Sequence, residues 1–182
     1  MHSRTTGMVL SALVLCGAGL HAQAPAAERP PVVIRSVEAP GAKVFYQNLP
    51  WGPQTFATME SASDSFYNKR SWPFARLETS AAFKLGATAL PAGNYALVFV
   101  PASSEQPAMS LQVLKVAPGE FFQAGNPMTK TPAGESVHSE PVSFERAGET
   151  VPALDLSLAD TKDGFTLGVA YGDRRLSRRF AR

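Results

Sequence analysis

Leu90-Pro91-Ala92-Gly93-Asn94-Tyr95-Ala96-Leu97-Val98-Phe99-Val100 constrains the fold of this chain more than any other stretch. Pro91 and Gly93 mark a tight turn, and the apolar, aromatic and β-branched residues after them run without interruption to Pro101, as a buried strand does. Such a strand needs a sheet around it, and the sequence supplies partners at regular intervals. Residues 32–37 are apolar and β-branched and stop at Pro40-Gly41, before a second short run at 43–46. Residues 74–79 alternate, with Arg76 and Glu78 on one face, although Phe74, Ala75 and Leu77 do not sort cleanly to the other. Residues 83–85 resume the alternation, and Met109, Leu111 and Val113 share one side of the run 109–116. Runs at 142–146 and 154–158 follow. Asp163-Gly164 is a hairpin signal ahead of 165–171, and Gly172-Asp173 makes a second reversal into a closing strand at 174–180. Apolar spacing of three and four is scarce, and residues 61–69 are the best place for a short helix. The expected class is all-β, an antiparallel β-sandwich or partly closed barrel with short helical insertions at most.

The N-terminus has a different character. His2 and Arg4 precede an apolar run from Met8 to Leu20, and Ala22-Gln23-Ala24 supplies small residues behind it. This is the layout of a secretory leader, and the run is too short and interrupted for a membrane-spanning helix of roughly 20 apolar residues. The expected division is a signal peptide at 1–24, a Pro/Ala-rich linker at 25–31 and a single β-rich domain at 32–182, periplasmic or secreted, with no transmembrane anchor after processing. Cys16 raises lipidation as a second route, but bulky Leu15 precedes it where a small residue is wanted.

Loss of a leader narrows the available chemistry. Cys16 is the only cysteine, and of three histidines His2 and His21 leave with the leader. What remains has no thiol for a disulfide, nucleophile or redox pair. Zinc sites draw three or four ligands largely from His and Cys, so none is expected, and no other cofactor is implied. Asp160 and Asp163 lack the density of acidic ligands that a calcium loop needs. A Ser-His-Asp arrangement would have to use His138, which lies in a stretch, 131–139, with the composition of an exposed loop. The formal charge of +2 falls to +1 without Arg4, so no attraction to nucleic acid is implied.

Phe83-Lys84-Leu85-Gly86, Leu90-Pro91-Ala92-Gly93-Asn94-Tyr95-Ala96-Leu97 and the late segment 167–176 with Tyr171-Gly172 resemble the bacterial Domain of Unknown Function 2911 family. The likeness covers about residues 74–182. It implies an exported β-rich protein and carries no activity with it. The family's upstream segment, tryptophan-arginine-threonine-glycine-alanine-asparagine-glutamate, is replaced here by Asn68-Lys69-Arg70-Ser71-Trp72-Pro73, so its polar residues have no counterpart.

Three groups of residues are candidates for function. Phe45, Tyr46, Trp51, Phe56, Phe66, Tyr67, Trp72 and Phe74 crowd one region, either as core or as flat faces on which a saccharide or peptide could stack. Tyr67, Asn68, Arg70, Trp72, Arg76 and Glu78 form the candidate ligand-binding set, in which an arginine would grip a carboxylate or phosphate; the plainer reading is a solvated strand face with an ion pair. Arg174, Arg175, Arg178, Arg179 and Arg182 either guard a strand edge or meet an anionic partner. No catalytic residue is assigned. The resulting expectation is a non-enzymatic envelope accessory module that binds a small molecule, a saccharide or an envelope protein. The alternatives are a small hydrolase of envelope carbohydrate using a carboxylate pair, and a structural assembly subunit.

Overall fold

The computed structural model describes residues 33–63, 70–118 and 131–182. The leader, the linker, Cys16, Phe66, Tyr67 and Asn68 lie outside the described residues. Two antiparallel sheets enclose one core, as an all-β sandwich. The first runs β1 (Ile34–Ala39), β2 (Ala42–Gln47), β3 (Trp72–Thr79), β6 (Gly93–Val100), β7 (Ser110–Lys115) and β8 (Glu135–Pro141) in spatial order; the second runs β5 (Thr88–Leu90), β4 (Phe83–Leu85), β10 (Gly164–Ala181) and β9 (Glu145–Thr161).

Local chemistry accounts for the turns. Pro40-Gly41 closes the β1–β2 hairpin, with Gly41 at φ 81°, where a side chain would be strained. Lys162-Asp163 closes β9 onto β10, with Gly164 opposite Thr161. In the motif at 90–100 the Tyr95 side chain is fully buried and its hydroxyl donates to the Pro91 carbonyl at 2.6 Å, while the Gly93 N–H donates to Thr79 Oγ1 at 3.1 Å. The turn is thus tied both to its own strand and to β3. This resembles the tyrosine corner of other β-sandwiches, where a buried Tyr fixes the backbone a few residues upstream.

β10 doubles back on itself. The Arg182 N–H donates to the Asp163 carbonyl at 2.6 Å, Gly164 lies against the Phe180 backbone, and Phe165 stacks on Phe180 with centroids 4.7 Å apart. The fold-back is at Gly172, φ 60°, the reversal expected from Gly172-Asp173. An added Cβ there would overlap the Trp51 ring, which meets Tyr171 edge-on at 4.7 Å. β9 wraps this tip: Asp155 pairs with Ala170, Val151 with Gly172, and Glu145 with Arg175.

The core takes Val44, Leu77, Leu97, Phe99, Leu111 and Val113 from one sheet and Phe83, Leu85, Leu156, Leu167, Val169 and Phe180 from the other. Tyr95, Leu97 and Phe99 face inward together, as their spacing of two requires. The imperfect alternation of 74–79 has a physical cause: a bulge between Pro73 and Ala75 inserts Phe74, which stacks on Phe99 at 4.1 Å. The helix among the described residues is α1 (Pro53–Glu60), with Pro53 in its first turn and Ser61 already extended at its C-cap; of the stretch 61–69 expected to be helical, residues 64–69 lie outside the described residues.

Candidate functional site

The sequence-selected ligand set does not converge on one cleft. Trp72 pairs with Phe99 and faces inward, lining an apolar seam with Phe56, Met59, Phe74, Phe99 and Tyr171. That seam holds only about 20 Å³ of space, roughly one water, and is a packing gap. Arg76 and Glu78 project from the opposite face of β3, because β3 inverts its side chains at each residue beyond the bulge. Arg70 is exposed ahead of β3, and Tyr67 and Asn68 lie outside the described residues.

On the outer face of the first sheet, cross-strand register sets Glu38, Lys43, Glu78 and Asn94 in one row and Phe45 beside Arg76 in the next. The charges satisfy one another: Lys43 Nζ lies 2.5 Å from Glu38 Oε1 and Arg76 Nη2 2.7 Å from Glu78 Oε1. Arg76 and Lys43 also stand over the Phe45 ring, at 4.5 and 5.0 Å. The open groove at this end of the sheet, about 520 Å³, is therefore edged by charges that are already paired, with Ser80 and Asn94 beside them, and the Phe45 face is occupied by cations. The remaining described aromatics, Tyr46, Trp51, Phe56, Trp72 and Phe74, belong to the core or pack on it. Apart from Phe45, the described aromatic cluster is interior, because sheet closure and α1 bury what the sequence only shows to be adjacent.

His138 is not on a solvated loop. It lies in β8 opposite Val113, with its side chain 10 % exposed. Its Nδ1 is 2.9 Å from Thr88 Oγ1 on β5, and its Nε2 is 3.7 Å from Glu140 Oε2, whose Oε1 accepts from Arg178 Nε at 2.6 Å. Hydroxyl, imidazole and carboxylate thus occur in the order of a hydrolytic triad. The approach to Glu140 is too long for a hydrogen bond and leaves His138 Nε2 buried without a hydrogen-bond partner among the described residues; the carboxylate bonds Arg178, and the Thr88–His138 contact joins the two sheets where β5 meets β8. On the other side the Tyr46 hydroxyl donates to Asp155 Oδ1 at 2.9 Å, and the Leu154 N–H to the Leu49 carbonyl at 2.8 Å.

The C-terminal arginines serve similar contacts. β10 is flanked by β4 and β9, so they do not guard a free edge. Arg174 bonds Glu60 at 3.0 Å and tethers α1; Arg179 Nη2 donates to both carboxylate oxygens of Asp163, holding its carboxyl below the usual carboxylate range; Arg182 donates to the Pro40 carbonyl at 2.8 Å.

The site that sequence reasoning missed is on the outer face of the second sheet. With Asp163 opposite Arg182, the register of the doubled β10 sets Ala170 beside Arg175 and Gly168 beside Ser177. Adding β9 gives one row Asp155, Ala170, Arg175, Glu145 and a second row Ser157, Gly168, Ser177. These residues, with Ser143, line a trough of about 390 Å³. Its floor is low because Gly168 and Ala170 carry little or no side chain. An added Cβ at 168 would sit 2.5 Å from Ser157 Oγ, so the serine leans over the glycine. Arg175 is locked by the carbonyls of Gly172, Arg174 and Glu149 at 2.8, 2.9 and 3.0 Å. The hydroxyls of Ser143, Ser157 and Ser177 and the Glu145 carboxylate have no partner among the described residues. Small outward residues in a strand otherwise rich in bulky ones were the available signal. What they adjoin depends on the fold-back at Gly172.

Among the described residues no helix is long and apolar enough to cross a membrane, and no three His, Cys, Asp or Glu side chains gather as metal ligands. No family model, curated protein or solved structure matches the chain, so the roles of its residues rest on geometry.

Proposed function

We propose that this chain is an exported, non-enzymatic binding module whose ligand seat is the trough over Gly168 and Ala170. The observation that carries the reading is the combination of a recessed floor with unpartnered polar groups around it. Lys43, Arg76, Arg174, Arg178 and Arg179 are each engaged by a carboxylate and Arg175 and Arg182 by backbone carbonyls, whereas Ser143, Ser157, Ser177 and Glu145 face the groove with no partner among the described residues. Its volume lies at the low end of the roughly 300–1,000 Å³ of small-molecule sites. Export is supported by the leader-like segment at 1–24.

The hydrolase alternative has one observation behind it, since two carboxylates, Asp155 and Glu145, line the same trough. Three strand spacings separate them, about 14 Å between Cα atoms, with Arg175 in between. Asp155 already accepts from the Tyr46 hydroxyl at 2.9 Å, and Arg175 stands between the two carboxylates, which favours binding over cleavage.

The test is to add the small-molecule and glycan fraction of an envelope extract to the isotope-labelled chain and follow its backbone amides. Shifts confined to Gly168, Ala170, Arg175 and Ser177, and lost in Ala170→Gln, are expected. Shifts only elsewhere, or turnover of the added material, would overturn the reading.

A further inference from the structure

We infer that the trough takes a neutral polyhydroxylated ligand, a saccharide segment of about one or two rings; this rests on the reading of the trough as the binding seat. The inventory of hydrogen-bonding groups is the argument. Carboxylates only accept, whereas serine hydroxyls rotate to donate or accept. Glu145 at one end, the second oxygen of Asp155 at the other, whose Oδ1 already accepts from Tyr46, and Ser143, Ser157 and Ser177 between them thus make a surface rich in acceptors that can be satisfied by a ligand bringing donors of its own.

Charge separates the remaining classes. An anion would have to be gripped by a guanidinium, but Arg175, though still charged, has its N–H groups turned to three carbonyls, and Arg178 is paired with Glu140 and bonded to the Ser177 carbonyl. The two carboxylates at its ends oppose an anion further. A cation seated at Glu145 would meet Arg175 on the neighbouring strand, about 5 Å away along the row. An apolar ligand would strand the hydroxyls and the carboxylate that now face water, each at the cost of an unmade bond. Sugar hydroxyls meet none of these objections, because each one both donates to a carboxylate and accepts from a serine. The small floor at Gly168 and Ala170 lets a ring lie close to the sheet. Among the described residues no aromatic lines the trough, so stacking from them contributes nothing and binding is weak.

Backbone amide shifts of the purified chain, titrated separately with maltose, N,N′-diacetylchitobiose, spermidine and inorganic phosphate, test this. Either disaccharide should move the amides of Gly168, Ala170 and Ser177 saturably. Ala170→Gln, which fills the floor, should weaken that binding about tenfold or more. Ser177→Val serves if the first variant unfolds below the temperature of the parent. Should spermidine or phosphate move these amides while both disaccharides leave them still, the saccharide class fails and the seat stands. Should none of the four probes move them, the seat and the ligand class both fail.

Discussion

Replacing Tyr95 by Phe removes one atom from the motif that organises the first sheet, and its cost follows from where that atom lies. The ring is fully buried and stays so, hence no apolar burial is lost. The missing hydroxyl frees the Pro91 carbonyl, which it met at 2.6 Å; Pro91 is exposed, so water replaces the lost donor. The penalty is then the net worth of one hydrogen bond, about 1 kcal/mol, and not the larger cost of an orphaned buried acceptor, about 1–3 kcal/mol. For a domain of this size that lowers Tm by about 2–4 °C. Urea unfolding followed by tryptophan fluorescence reads it directly, since Trp51 and Trp72 both pack on the core; the midpoint should fall with the slope unchanged. A change below about 0.3 kcal/mol would mean that the bond does not hold the turn. A loss above about 3 kcal/mol would mean that the hydroxyl supports more than the Pro91 carbonyl, and either result refutes the reasoning.

The same phenol supplies a pH dependence. Burial raises the Tyr95, Tyr46 and Tyr171 phenols above their ordinary value of 10.0. Their folded forms hold protons that the unfolded chain releases, so this part of the stability is intact below pH 10 and lost as pH rises through the raised values. Phenolate absorbance should appear together with unfolding, and less of it in Tyr95→Phe. Gly172→Ala should cost about 3 kcal/mol or more, because it combines a left-handed φ with overlap on Trp51; a neutral effect by thermal unfolding would show that the tip repacks freely. Trp72→Ala should cost about 2–3 kcal/mol and leave trough shifts unaltered, whereas unchanged melting with lost binding would restore Trp72 as a ligand platform.

Much of the fold was legible because strand periodicity and turn chemistry are local. Alternation at 154–158 and 165–171, and Gly172-Asp173 between 171 and 174, required nothing distant to be read correctly. Helix α1 was not legible because it has few of the signals that mark one; its single cue is Pro53, and burial of Phe56 and Met59 stabilises it. His138 looked like a loop residue since its flanks are small and polar, but β8 is an edge strand whose ladder with β7 overrides composition. Trp72 and Arg76 seemed neighbours until the bulge at Phe74 turned them to opposite faces. The trough was invisible for a plainer reason. Glu145, Asp155, Gly168 and Ser177 are brought together by two separate chain reversals, and periodicity reports which face a residue occupies without naming its neighbours.

The doubled β10 has a consequence for how the domain is made. Residues 174–181 are an interior strand of the second sheet, held between residues 164–171 and β4, and Phe180 is completely buried beside Phe165. A chain that emerges N-terminus first, from a ribosome or through a membrane channel, presents β9 and the first half of β10 before their central neighbour exists. The second sheet cannot close until that neighbour arrives, and until then β4 and β5 have nothing to pair with except each other. The domain is therefore one that remains unfinished, and open to a chaperone, until its final strand has cleared the exit.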